Sequence, residues 1–196
     1  MSNDSSTGGY VVPAASPPYD ESLEDIFQGA LAGITGVGGT LVRPRWQAEP
    51  PNQPDFDTSW ISFSVTVIDQ DTFAYQSHED TVSDPPGSDK VERDEILEVF
   101  CSFYGPNGHS LLAQLRDGLQ IEQNRWVLAQ SYIQFREFGQ PVYLPALLKE
   151  RNVKRVDMKM KFVRRVHRVY PIRTVTSVAA TIDNDKYITD INITNL

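Results

Sequence analysis

Apolar residues near the start of the chain recur with a helical period. Leu23, Ile26, Phe27, Ala30, Leu31 and Ile34 fall at i, i+3, i+4, i+7, i+8 and i+11, one stripe of an α-helix. Ser22 with Asp25 three residues on forms a capping box at its start, and Gly36, Gly38 and Gly39 end it. The period then changes to two. Residues 60–69 alternate Ile61, Phe63, Val65 and Val67 with Ser62, Ser64 and Thr66, the pattern of a half-buried strand. Residues 91–104 alternate likewise, but Ile96 and Phe100 intrude on the polar side, which predicts cover on both faces over the second half. Leu111, Leu112, Leu115 and Leu119 mark a second helix, residues 126–129 a short third one and 132–137 a brief strand. Between 153 and 170, Val156, Met158, Met160 and Phe162 alternate with Arg155, Asp157, Lys159 and Lys161. With a following strand at 173–182 this predicts a long antiparallel hairpin, and 187–193 a terminal strand.

The intervening segments are read from their breakers. Residues 41–47 run extended toward Pro50, Pro51 and Pro54, and Pro44 excludes them from a central strand. The polar, acidic stretch 70–90 reads as a long hairpin connection, and 145–148 as a brief helical turn. Residues 1–18 are rich in Ser, Gly and Pro, which predicts a flexible arm, either frayed or docking on a partner through Tyr10, Val11, Val12 and Pro13. Residues 19–196 then form one domain. Strands arrive in consecutive runs, so the expected class is α+β: a largely antiparallel sheet, two main helices packed to one side, and a long C-terminal β-hairpin.

Composition narrows the chemistry. With 196 residues, 40% of them hydrophobic, the chain can bury a core without disulfides or a structural metal. Its net charge of −8 argues against sequence-independent grip on phosphate backbones. The charge is uneven: residues 151–196 hold 10 basic and 4 acidic side chains, so the basic C-terminal quarter complements an acidic body, within the fold or between copies. One cysteine, Cys101, excludes an internal disulfide and reads as a reducing compartment. No signal-peptide pattern and no run of 18 apolar residues is present, so neither a secretory route nor a membrane partner is expected.

His78, His109 and His167 fall in different elements without ligand spacing, and Cys101 sits on an apolar strand face. The acidic run over 69–89 lacks the spacing of a calcium loop, and the glycines at 36–39 follow a helix where a phosphate loop would follow a strand. No catalytic residue, metal or cofactor is expected.

Interaction chemistry is more conspicuous. Arg43 and Arg45 flank a proline beside Trp46, an arrangement that suits an interface anchor and equally a buried tryptophan covered by arginine stems. Arg116, Asp117, Gln120, Asn124 and Arg125 surround a leucine stripe, as a ring contact or a solvated face. Residues 151–173 carry nine basic side chains against one acid. Lys159, Lys161, Arg164, Arg165 and Arg168 could line a lumen or an intersubunit surface; the same charges could block edge pairing, pair with the acidic body or stay solvated.

Four stretches resemble a known family, the phage neck or tail terminator proteins of tailed bacteriophages. They are Gly38-Gly39-Thr40-Leu41-Val42-Arg43-Pro44-Arg45-Trp46-Gln47, Cys101-Ser102-Phe103-Tyr104-Gly105-Pro106, Leu115-Arg116-Asp117-Gly118-Leu119-Gln120-Ile121 with Gln123-Asn124-Arg125, and Phe162-Val163-Arg164-Arg165-Val166-His167-Arg168-Val169-Tyr170-Pro171. Their order and spacing cover about residues 22–182. The resemblance implies an α+β fold, a homo-oligomeric hexameric ring, and a place in the virion neck after synthesis in the host cytoplasm. The implied partners are the tail tube protein, the head–tail connector, and genomic DNA passing through the lumen without sequence-specific binding. A baseplate or fibre-associated binding module and a nucleic-acid-binding accessory protein are the alternatives.

Overall fold

A computed structural model describes residues 9–49, 51–79, 87–148, 151–172, 177–183 and 188–194. The chain packs as two units. The larger, the body, is built from 17–74 and 93–166. The smaller takes 9–16, 75–79, 87–92, 167–172 and the C-terminal strands.

In chain order the elements are α1 (Asp20–Thr35), a 3-10 turn (Gly39–Leu41), β1 (Val42–Pro44), β2 (Trp60–Gln70), β3 (Tyr75–Glu79), β4 (Ser88–Tyr104), α2 (Gly108–Gly118), α3 (Glu122–Ala129), β5 (Ile133–Phe138), β6 (Val142–Leu148), β7 (Arg151–Pro171), β8 (Ser177–Asp183) and β9 (Ile188–Thr194). Seven strands form a mixed, mostly antiparallel sheet in the order β1-β2-β4-β7-β5, with β3 on β4 and β6 on β7. β1 is the one parallel partner in the described ladders, pairing Val42–Pro44 with Ile61–Phe63 at the edge that Pro44 tolerates. The class is α+β, as the element order predicts.

Period-two alternation explains why one face of this sheet is buried. Ile61 and Phe63 of β2, Leu97, Val99, Cys101 and Phe103 of β4, and Val156, Met158, Met160 and Phe162 of β7 form a single cluster with Leu23, Phe27 and Leu31 of α1, Leu112 and Leu115 of α2, and Leu128 of α3. Phe27 meets Phe162 edge-on at 5.1 Å. Gly36 ends α1 in the left-handed conformation, its N–H bonded to the Ala32 carbonyl. Gly105 is required where β4 ends, because its φ is +94° and a Cβ would lie 2.6 Å from the Thr58 carbonyl oxygen.

Four local expectations are corrected. The capping box does not form: α1 begins at Asp20 behind Tyr19, and the Ser22 hydroxyl donates to the Tyr19 carbonyl at 2.7 Å. Residues 145–148 are strand, paired with 151–154 of β7, because a long neighbouring strand supplies the ladder and Pro145 is tolerable on an outer strand. The connection at 70–90 contains β3, which pairs with the start of β4. The C-terminal hairpin has other partners than the expected 153–170 with 173–182: β7 joins the seven-stranded sheet, and the hairpin is made by β8 and β9, in register from Ser177–Thr194 to Asp183–Ile188. Residues 1–8 of the expected arm lie outside the described residues; further along, the Ala14 N–H donates to the Val169 carbonyl in the smaller unit.

Arg164 ends the core face of β7, continuing the parity of Phe162, and is 1% exposed. It donates to Glu95 Oε2 and to the Pro18 carbonyl, both at 2.6 Å, and its guanidinium lies 4.4 Å from the Tyr19 ring. The Tyr19 hydroxyl donates to the other Glu95 oxygen. This pair sets where α1 starts, since Tyr19 is committed to it and cannot turn into the helix.

Removing one member of such a pair leaves an uncompensated buried charge. Glu95→Leu is expected to destabilise the chain by about 3–5 kcal/mol, and Glu95→Leu with Arg164→Met to recover most of that, measured as urea unfolding midpoints. On the other face Asp157, 5% exposed, is held by both Arg155 guanidinium donors at 2.7 Å. Burial works against its charge, but hydrogen bonds from Arg155 and Ser102 outweigh it, so its carboxyl lies below the usual 3.8. A depressed folded value means stability present above that ordinary value and lost as pH falls through the folded one. Asp157→Asn is therefore expected to lower the unfolding midpoint at pH 7 and to flatten its decline below about pH 4.

Candidate assembly interface

The sheet face turned away from the helices has its own chemistry. Trp60, Ser62 and Ser64 of β2, Phe100, Ser102 and Tyr104 of β4, and Arg155, Asp157 and Lys159 of β7 occupy the positions between the core residues. Trp60 and Tyr104 are cross-strand partners and stack 4.3 Å apart, 7° from parallel. Cations lie against these rings: Arg43 over Trp60 at 5.8 Å, Arg155 over Tyr104 at 5.5 Å, and Arg45 over Phe100 at 3.8 Å.

Arg43 and Arg45 differ in their hydrogen bonds. Arg43 donates to the carbonyls of Thr40 and Asn52, each at 2.8 Å, tying the β1–β2 connection down. Arg45 donates to Ser102 Oγ at 2.6 Å, and burial holds its guanidinium below the usual arginine range. Trp46 is 84% exposed. The tryptophan that takes an arginine contact is Trp60, and Trp46 projects from the edge beside Arg45.

On the helix side, Arg116, Asp117 and Gln120 come together with Ala113 and Phe138 around a shallow cleft of about 320 Å³, Arg116 standing 5.4 Å from the Phe138 ring. Asn124 does different work: its side-chain amide donates to the Gly118 carbonyl at 2.9 Å and closes the end of α2. Arg125 is half-buried on α3, whose outer surface carries the exposed Trp126 and Val127. Neither apolar residue stood out in the sequence, because an eight-residue helix with Leu128 as its sole buried residue has too short a stripe to reveal its outer face. β6 likewise exposes Val142, Tyr143, Leu144 and Leu147. Tyr143 bonds His109 Nε2 at 2.6 Å beside an apolar cavity of about 490 Å³ between β6, β7 and the start of α2.

The basic strand is largely neutralised within the chain. Lys159 pairs with Glu98 at 2.9 Å, Lys161 with Glu137 at 2.7 Å, and Arg165 grips both Asp94 oxygens at 2.8 and 3.0 Å. That grip, chiefly its hydrogen bonds, draws the Asp94 carboxyl below the usual range. Arg164 cannot line a lumen or a subunit contact, since the parity of β7 turns it into the core. Arg168 is half-buried in the smaller unit and engaged there. Cys101 is buried, and burial pushes its thiol above the usual range. No helix among the described residues is long and apolar enough to cross a membrane.

A search of curated proteins finds no match. A family model described as phage neck terminator protein matches residues 21–186, from the first turn of α1 to the C-terminal hairpin. That span contains every element of the body and both exposed arginine–aromatic patches. The chain therefore belongs to the phage neck terminator family, structural proteins of the virion neck that associate with tail and head-connector components.

Proposed function

We propose that this protein is a tail terminator whose copies close into a hexameric ring on the end of the tail tube. The ring occupies the edges to which a further layer would add, stops polymerisation, and offers its other face to the head connector. The observation that carries this reading is the placement of two exposed arginine–aromatic patches on opposite sides of the body's sheet. Arg45, against Phe100, lies on the side away from the helices with the exposed Trp46 next to it in the chain, and Arg116 with Phe138 lies on the helix side, where α3 exposes Trp126. Unlike patches on opposite sides favour head-to-tail contacts, which form a ring where the rotation between copies closes. Arginine and tryptophan supply the large contact area and the desolvated donors that dominate association.

The reading needs no bond-making chemistry. The pairing of Lys159, Lys161 and Arg165 with acids fits a lumen through which duplex DNA passes without being gripped, since these three cations are already neutralised within the chain.

The test is tube length. With tail tube protein polymerising in vitro, the wild-type chain is expected to hold tubes at a fixed length. Trp46→Ala and Arg116→Glu, which alter exposed positions and leave circular dichroism unchanged, are expected to let tubes grow without limit in electron micrographs. Wild-type length control by both variants would remove these two patches from the mechanism.

A further inference from the structure

The outward ridge of α1 has a composition that the isolated chain does not explain. Glu21, Asp25, Gly29 and Gly33 recur at i, i+4, i+8 and i+12, and all four are exposed. A glycine inside a helix weakens it relative to alanine, and glycine is normally kept where a neighbour leaves no room for a Cβ. Here a Cβ at Gly29 or Gly33 would meet nothing within 4 Å. Whatever needs that smooth surface lies outside the monomer.

The charge at the other end of the ridge is also uncompensated. Segment 17–39 holds four acids, Asp20, Glu21, Glu24 and Asp25, and no base. The helix dipole accounts for acids in the first turn but not for Asp25. None of the four has an ion-pair partner among the described residues. Burial, then repulsion from Glu21, Asp25 and Asp20, raises Glu24 above the usual carboxylate range, as expected of a cluster lacking cations.

The sheet side carries the complement. The side-chain hydrogen bonds of Arg43 and Arg45 go to neutral oxygens, two carbonyls and a hydroxyl, and Trp46 is exposed next to Arg45 in the chain. Arg43 and Arg45 contact Trp60, Phe100 and Ser102 on the face away from the helices, and α1 lies in the helix layer.

We propose that the α1 ridge of one copy docks on the Arg43–Trp46 edge of the next, with Glu21 and Asp25 facing the guanidinium groups and the Trp46 indole lying across Gly29 and Gly33. The ridge and the arginine edge belong to different layers of the body, so they face different neighbours, which favours the head-to-tail contact over a two-fold one. This rests on the ring reading above and names its mating surfaces.

Charge exchange and a stabilising substitution test it together, by sedimentation velocity of the full chain at low salt. Arg45→Glu and Asp25→Arg are each expected to weaken self-association at least about tenfold, and a 1:1 mixture of the two to restore it, since each variant's altered face then meets an altered face of opposite charge. Gly33→Gln is expected to raise the melting temperature by about 2–4 °C while weakening association to the same degree. The proposal is overturned if Gly33→Gln associates like wild type, if the mixture associates no better than either variant, or if wild-type copies fail to associate both in solution and on tubes. Tube length measured in parallel keeps the two readings apart. Unregulated tubes beside a restoring mixture would overturn capping and support this contact; regulated tubes from variants that do not associate would overturn the contact alone.

Discussion

Strand β7 runs 21 residues with opposite chemistry on its two faces, and the body is organised around that constraint. Its backbone needs partners along both edges, which β4 supplies on one side and β5 and β6 in succession on the other. Its alternate side chains need an apolar environment on one face, which α1, α2 and α3 provide, and polar partners on the other. The ion pairs to β4 follow the same geometry. Asp94 meets Arg165 and Glu95 meets Arg164, while Glu98 meets Lys159, so partners descend β7 as they ascend β4. A one-residue slip would turn each of these groups toward the wrong environment, so the pattern holds the register.

The buried Arg164–Glu95 pair is where the two layers are pinned at one end. It draws in the Tyr19 ring and the Pro18 carbonyl, so the entry to α1 is governed by contacts across 76 and 146 residues of sequence and not by a local cap. Such a pair adds less stability than its Coulomb energy suggests, because both charges lose their hydration and Arg164 Nε has no hydrogen-bond partner. Its value lies in geometry, since one position of the α1 entry satisfies three of the groups around the guanidinium.

A sheet covered by helices on one side leaves its other face to a different chemistry. That face carries stacked aromatics and cations over a floor of small serines, with Asp157 fixing Arg155 and Ser102 fixing Arg45. Rigid, pre-positioned arginines lose little freedom on docking. The same body leaves Trp46, beyond β1, and Trp126, on α3, exposed.

The sequence alone determined the class of the fold and most of its long elements. The Leu23–Ile34 stripe, the alternation in β2, β4 and β7 and the leucines of α2 are strong periodic signals, and three of the four family-like stretches overlap β4, α2 and β7. It also contained, unread, the sign of Arg164: carrying the parity of Met158, Met160 and Phe162 one step further places it inside. β3 and β6 had no comparable signal, because each is strand by virtue of the long neighbour that supplies its ladder. Tertiary structure decided which charges face a partner and which are satisfied at home. Composition counts Arg45, Lys161 and Arg164 alike, and only the packing of strands side by side puts a hydroxyl, an exposed glutamate and a buried glutamate within reach of each. Hydrophobic period is a property of neighbours along the chain, whereas the environment of a charge is set by residues far from it in sequence.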